Sequence, residues 1–299
     1  MATPTRLTFI KNEPADDLSF VLTCVPDAAD GFPKTRLYDN DPQAVFKAVT
    51  AQAAHAIKYD FGSSPQAFNA AALVNHNVPS TGFNIKLQAN ATDSWAAPSI
   101  NTAFTWRDKN MHVFVSNSTA YRFWRILIQT TAGFIVDVDG GGFPGAGIVG
   151  TTVIGGAGDG APFQLTLGEL VLGAAVESPL NPVFSTPEGW VWPTIKNQFS
   201  FGGDVRYAYA RTRVMRFRWA DSILSDTNLG TFYGLWVNRR GAGKPLLAVL
   251  DPSTLSAWYE GTNSYFGRFS ERFNPVRDFV NQNMVELDFE EISSGRLTT

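Results

Sequence analysis

Apolar and polar side chains alternate with a period of two in several short stretches of this chain, as expected of strands that bury one face. In 83–89, Phe83, Ile85 and Leu87 share one face while Asn84, Lys86 and Gln88 share the other. In 121–129 the same spacing groups Trp124, Ile126 and Ile128. In 284–292, Val285, Leu287 and Phe289 alternate with Glu286, Asp288 and Glu290. Further strands are predicted at 55–61, 68–74, 112–115, 134–138, 163–173, 207–220, 231–237 and 245–250, divided by Gly, Pro, Asn and Asp turns. Helical spacing is scarce, and the Ala-rich segment 42–57 is the one helix candidate. The pattern predicts a mainly β chain of the sandwich or barrel type. It also pairs 284–292 with 213–220, which sets apolar against apolar and the acids against Arg216 and Arg218. A bulge or strand end is expected near Val214, because continued alternation would bury Arg211 and Arg213.

The punctuation divides the chain. Residues 140–160 hold ten glycines in 21 positions and read as a long loop, since so much backbone entropy is costly to fix. Ser178-Pro179-Leu180-Asn181-Pro182 reads as a linker. With 299 residues, two domains are expected: a sandwich over 1–178 carrying the Gly-rich loop, and a smaller β-rich assembly domain over 179–299.

Composition narrows the function classes. Charged residues are 17% and aromatics 13%, a balance that favours burial against other chains as well as within the core. The net charge of −3, from 24 basic and 27 acidic side chains, argues against nucleic acid as the main partner. Arg206, Arg211, Arg213, Arg216, Arg218, Arg239, Arg240 and Lys244 form the one basic concentration. It reads better as a strand face neutralised by acids than as a nucleic-acid surface. One cysteine, Cys24, excludes an internal disulfide. No apolar run reaches the ~20 residues that span a bilayer, and no secretory signal is expected, so synthesis in the cytoplasm without membrane insertion is predicted.

No catalytic set emerges. His55, His76 and His112 are the only histidines, and none adjoins a nucleophile elbow. His76 lies between Asn75 and Asn77 and reads as a turn residue hydrogen-bonded to backbone. Asp137 and Asp139 share a strand face but abut three glycines, and read as solvated carboxylates rather than a glycosidase pair. The chain is therefore expected not to be an enzyme.

The order of motifs adds a resemblance. Tyr38-Asp39-Asn40-Asp41-Pro42, then Ile57-Lys58-Tyr59-Asp60-Phe61-Gly62, then Ala72-Leu73-Val74-Asn75-His76-Asn77 resembles a discoidin-like, or galactose-binding-like, β-sandwich. Arg122-Phe123-Trp124-Arg125-Ile126 is similar to the Arg-Tyr-x-Arg-Ile strand of that family, and Leu167-Gly168-Glu169-Leu170-Val171-Leu172-Gly173 to its closing strand. The resemblance spans about 35–173. More narrowly, these pieces with Val285-Glu286-Leu287-Asp288-Phe289-Glu290-Glu291-Ile292 resemble tailed-phage structural proteins. That implies a non-enzymatic virion component of the tail tip or baseplate, whose partners are copies of itself and other tail proteins. The Gly-rich insertion departs from the family pattern. The discoidin resemblance also implies a structural calcium held by Asp39, Asp41 and Glu169; in the alternative, the two aspartates cap the following segment. Apart from that ion no cofactor is expected. A second reading is a carbohydrate-binding module that takes a host surface glycan on exposed aromatics such as Trp95 and Trp106.

Overall fold

A computed structural model describes residues 4, 6–16, 18–131, 161–178, 188–191, 194–198, 204–208, 212–224, 226–239, 243–250, 264–269, 274–279 and 282–292. The strand expected at 134–138, the Gly-rich loop 140–160 and the carboxylates Asp137 and Asp139 lie outside the described residues.

The chain is mainly β, and its layers follow from which strand faces are apolar. A five-stranded antiparallel sheet runs Val21–Val25, Ala54–Asp60, Phe123–Thr130, Phe83–Asn90, Ile100–Ala103. Its inner face carries Tyr59, Ile85, Leu87, Trp124, Ile126 and Ile128 into one core. Facing it is a four-stranded antiparallel sheet, Phe46–Lys47, Thr166–Gly173, Ala70–His76, Asn110–Phe114, which contributes Leu73, Met111, Val113, Leu170 and Leu172. This is the sandwich that the period-two spacing predicts. Trp124 is fully buried against Phe68, and its Nε1 donates to the Gln66 carbonyl at 3.1 Å. Phe83, also expected in the core, packs at its margin.

The four-stranded sheet is buried on its other face too. Ala70, Ala72, Val74 and Val171 meet Ile10, Leu247, Val249 and Phe266 of an eight-stranded sheet. That sheet runs Ala175–Glu177, Thr8–Lys11, Leu246–Val249, Ser264–Phe269, Gln282–Glu291, Thr212–Leu224, Glu188–Val191, with Asn274–Phe279 also paired to Gln282–Glu291. Strands from both sides of residue 178 therefore share one sheet. The far face of this sheet holds a third core of Phe9, Met215, Phe217, Trp219, Val285, Leu287 and Phe289, covered by the helix Asp226–Asn238.

Two expectations are corrected. Segment 42–57 forms no helix; Phe46 pairs with Leu167, and Ala54 onward joins the ladder to Phe123–Thr130. Its alanines permit a helix, but Phe46 is required in the core. Conversely, 231–237 belongs to a helix, not a strand. Its aromatic and branched residues suggest β structure locally, yet Leu229, Phe232, Leu235 and Trp236 recur at helical spacing and pack onto the third core. Phe232 lies 4.3 Å from Trp219, ring centroid to centroid.

The predicted pairing of the last strand is present: Phe217 is opposite Leu287, Trp219 opposite Val285, and Arg216 opposite Asp288, whose carboxylate it meets at 2.6 Å. The irregularity in this ladder falls between Trp219 and Leu224, not at Val214. Arg213 instead pairs with Trp190 of the sheet-edge strand Glu188–Val191, so the ladder continues upstream.

Packing should dominate over the surface ion pair. Trp124→Ala is expected to lower the unfolding free energy by about 3–5 kcal/mol. Arg216→Ala, in a pair half exposed to solvent, is expected to cost less than about 1 kcal/mol. Urea midpoints at unchanged slope check both values.

Candidate functional site

Two features gather at the carboxyl end of strand Ala70–His76. The first is the turn Asp39-Asn40-Asp41-Pro42. Asp39 Oδ1 accepts the Asp41 N–H and Asp41 Oδ1 accepts the Gln43 N–H, each at 3.0 Å, so both carboxylates brace the turn. Asn40 takes a left-handed φ of 64° and Asn75 one of 55°. Asn75 Nδ2 donates to the Pro42 carbonyl at 2.9 Å. Gly168 lets that carbonyl approach, since a Cβ there would collide with it.

Behind the turn lies Glu169. It is opposite Val74 in the ladder and fully buried. Its Oε1 accepts from Asn12 Nδ2 at 2.6 Å, and the Asn40 N–H also donates to the carboxylate. Its Oε2 has no partner, and the same holds for Asn12 Oδ1 and Asn40 Oδ1. Burial, and then the nearby Asp39 charge, push the Glu169 carboxyl well above the usual carboxylate range. A cleft lined by Pro14, Leu18, Phe20, Tyr38, Asp39 and Asn40 reaches this turn.

Of the residues that the discoidin resemblance assigns to calcium, Glu169 is thus in the interior, while Asp39 and Asp41 act as turn caps, the alternative reading. Among the described residues no three Asp, Glu, His or Cys side chains form a metal-binding group. The unpartnered oxygens come from Glu169, Asn12 and Asn40. Buried oxygen acceptors of this kind suit a hard cation. Sequence reasoning passed over the two asparagines. Asn40 lies within the quoted Asp-rich motif, but Asn12 is 157 residues from Glu169 and carries no local signal.

The second feature is Trp106, 37% exposed. Its Nε1 donates to the Val78 carbonyl at 3.0 Å, and the His76 ring stands edge-on at 6.4 Å. His76 Nε2 donates to the Arg107 carbonyl at 3.0 Å and Nδ1 accepts the Val78 N–H at 3.2 Å, the tautomer following from these partners. Both ring nitrogens are committed to backbone, as expected of a turn histidine. Burial lowers its pKa to about 4.

Trp95, expected at the surface, is only 6% exposed. It folds over the outer face of the five-stranded sheet, where the Arg125 guanidinium lies 4.1 Å from its ring centroid. Trp95 Nε1 donates to Asp93 Oδ1 at 2.8 Å, and Asp93 also pairs with Lys58. Arg125 bonds Gln88 Oε1 through Nε and Nη2 at 2.9 and 2.6 Å. Trp95 is thus consumed by packing.

The other histidines are also interior groups. His55 Nε2 contacts the Phe163 carbonyl at 2.8 Å. His112 is buried on the outer face of the four-stranded sheet, its Nδ1 unpartnered; burial and then the Arg107 charge lower its pKa to about 3. Within the basic concentration, Arg216 pairs with Asp288, and in the backbone register residue 218 is opposite Glu286. Arg239 is interior and caps the carbonyls of Lys244 and Pro245.

Because the folded chain holds His112 neutral below its ordinary pKa, the unfolded chain binds more protons as pH falls from about 6.5 toward 3. Stability is therefore full above that window and lost as pH falls through it. By pH 5, His112 is expected to remove about 2 kcal/mol. Urea unfolding at pH 7 and 5 checks this, with His112→Gln losing less between the two than wild type.

No protein-family model matches the chain, and no curated protein matches it. Among solved structures, chitosan-binding module 1 of a chitosanase/glucanase from Paenibacillus sp. IK-5 is 16% identical, with 52% of this chain and 95% of that module covered at a TM-score of 0.33. The module CpGH89CBM32-5 of Clostridium perfringens, in complex with GalNAc-β-1,3-galactose, is 10% identical, with 55% and 99% covered at a TM-score of 0.35. A His 62 mutant of the lectin-binding domain of Lectinolysin, complexed with Lewis b, is 13% identical, with 53% and 92% covered at a TM-score of 0.33.

Proposed function

We propose that this chain is a non-catalytic recognition protein whose sandwich takes a neutral glycan on the Trp106 face. The observation that carries the reading is the indole itself. Among the described residues of the sandwich it is the one exposed large aromatic. Its ring is held by the Val78 carbonyl and the His76 edge, so its orientation is fixed before any ligand arrives. An aromatic face bordered by the exposed polar residues Thr105 and Asp108 offers apolar stacking with polar groups beside it. The discoidin resemblance implies the same ligand class. Trp95 has no part in this surface. Binding without turnover is supported by the commitment of both His76 nitrogens to backbone.

A second reading is a place in a phage tail, with copies of this chain and other tail proteins as partners. It rests on the motif order and on one surface observation. Tyr233 and Val237, four residues apart on the helix Asp226–Asn238, are 53% and 44% exposed, and a neighbouring chain would bury them. The two roles are compatible in one tail protein that contacts a host.

The test is a broad glycan array probed with the full chain, followed by calorimetric titration of the strongest glycan. Wild type is expected to bind, and Trp106→Ala to bind roughly tenfold or more weakly, equivalent to about 1.4 kcal/mol, with an unchanged circular dichroism spectrum. A blank array, or equal affinity of the two proteins, removes the glycan reading.

A further inference from the structure

We propose that strand Val21–Val25 is a docking edge for a second copy of this chain. The partner adds its own Val21–Val25 antiparallel about a two-fold axis at Thr23, which joins the two five-stranded sheets into one continuous sheet. The proposal stands on this edge alone and needs neither glycan binding nor a place in a tail.

The strand is the open end of its sheet. It pairs with Ala54–Asp60 on one side, and among the described residues no strand lies on the other. The ladder behind it fixes where its main-chain groups point. The Ala53 carbonyl accepts from the Thr130 N–H, and the Phe61 N–H donates to the Arg122 carbonyl. Odd-numbered residues of Ala54–Asp60 therefore turn toward Phe123–Thr130, and even-numbered ones toward Val21–Val25. There Asp60 is opposite Val21, Lys58 opposite Thr23 and Ala56 opposite Val25. Val21, Thr23 and Val25 thus spend their N–H and C=O groups inward, and those of Leu22 and Cys24 point out of the edge. Among the described residues no backbone hydrogen bond reaches them there. Such a row of unmet groups is a template for another strand.

The usual guards are missing. Edge strands are commonly protected by a lysine, a proline or a bulge. Val21–Val25 runs in unbroken register and contains no charged side chain and no proline. Val21 is 66% exposed, more than any other large apolar residue described, and Thr23 is exposed beside it. The neighbouring charges do not repel a copy either, because Lys58 is paired with Asp93 and Asp60 with Arg122.

A second copy fits because the strand is its own complement. With the axis at Thr23, Leu22 is opposite the partner's Cys24, and Cys24 opposite the partner's Leu22. Both are hydrogen-bonding pairs that exchange N–H and C=O in each direction, so every outward group of the strand is used. On the solvent face Thr23 meets the partner's Thr23, and Val21 meets the partner's Val25, pairs that favour association. A slip of one residue would set Leu22 against the partner's Thr23, whose main-chain groups are already spent. Pro26, the next even-numbered position, has no N–H and ends the pairing. The contact is isologous and closed. Five residues a side make a small interface beside the ~1,200–2,000 Å² of a stable complex, so the dimer is reversible and concentration-dependent.

The experiment is sedimentation velocity of the full chain from micromolar to millimolar concentration, with amide hydrogen exchange at both ends of that range. Wild type is expected to pass from monomer to dimer, and the Leu22 and Cys24 amides to exchange at least tenfold more slowly when dimeric. Thr23→Lys sets two like charges face to face on the axis and is expected to weaken association tenfold or more, with an unchanged circular dichroism spectrum. Ala103→Lys, on the opposite edge of the same sheet, is expected to leave association unchanged. The opposed Thr23 Cα atoms would lie about 4.5 Å apart, within disulfide range. Thr23→Cys with Cys24→Ser is therefore expected to give a covalent dimer on oxidation, and Ala103→Cys with Cys24→Ser is not. If Thr23→Lys fails to fold, this cross-link and the wild-type exchange data decide. A monomer at every concentration overturns the proposal. So does slow exchange of Leu22 and Cys24 that is independent of concentration, since another segment of the same chain would then cover the edge. Dimerisation that survives Thr23→Lys, or that is lost in Ala103→Lys, overturns this edge as the contact.

Discussion

Burial of both faces of the four-stranded sheet is the constraint on which this structure turns. One face closes the sandwich core and the other is the floor for the eight-stranded sheet. A strand in that position has no wet side on which to place polar groups. Ala70-Ala71-Ala72-Leu73-Val74 answers this with a continuous apolar run, and its alanines leave room for Ile10, Leu247 and Phe266. The same demand extends to Leu246–Val249, which is buried on both sides between the sandwich and the third core.

Polar groups that enter this layer must be answered individually. Asn110 Nδ2 donates to the Ser264 carbonyl at 2.9 Å, and Lys109 reaches the nearly buried Glu291 at 2.9 Å. His112 is kept neutral by the same dry surroundings. Glu169 stands out because its surroundings give it donors on one oxygen only. The buried oxygen cluster is thus a consequence of the layer stacking and not an isolated oddity of one loop.

The architecture also places the exposed functional candidate. Strand Ala70–His76 ends where the turn through Pro42 docks on Asn75 and where the Arg107 backbone docks on His76. The buried cluster and the exposed Trp106 therefore share one rigid edge of the sandwich. An indole fixed on such an edge is suited to binding without rearrangement. The His76 ring beside it is committed to backbone through both nitrogens.

The sequence by itself determined the elements with one wet face. Strands 83–90, 123–130 and 282–291 alternate because one side is solvated or less deeply covered, and the pairing of 284–292 with 213–220 followed from that alternation, while the register that sets Arg216 against Asp288 was decided by the tertiary structure. Strands buried on both sides show no alternation, and 68–74 and 245–250 were legible only as apolar runs between turn residues; Thr8–Lys11, four residues with a polar side chain at each end, offers neither signal. Helix Asp226–Asn238 was misread because its aromatic content mimics a strand, and only the third core beneath it reveals which residues point inward. At the candidate site, the Asp-rich turn and Glu169 were legible as motifs, and Trp106 as an aromatic. The tertiary structure alone decided that Trp95 is covered by Arg125 while Trp106 is not. It alone brought Asn12 to Glu169, because proximity between residues 157 positions apart is fixed by layer packing and not by local pattern.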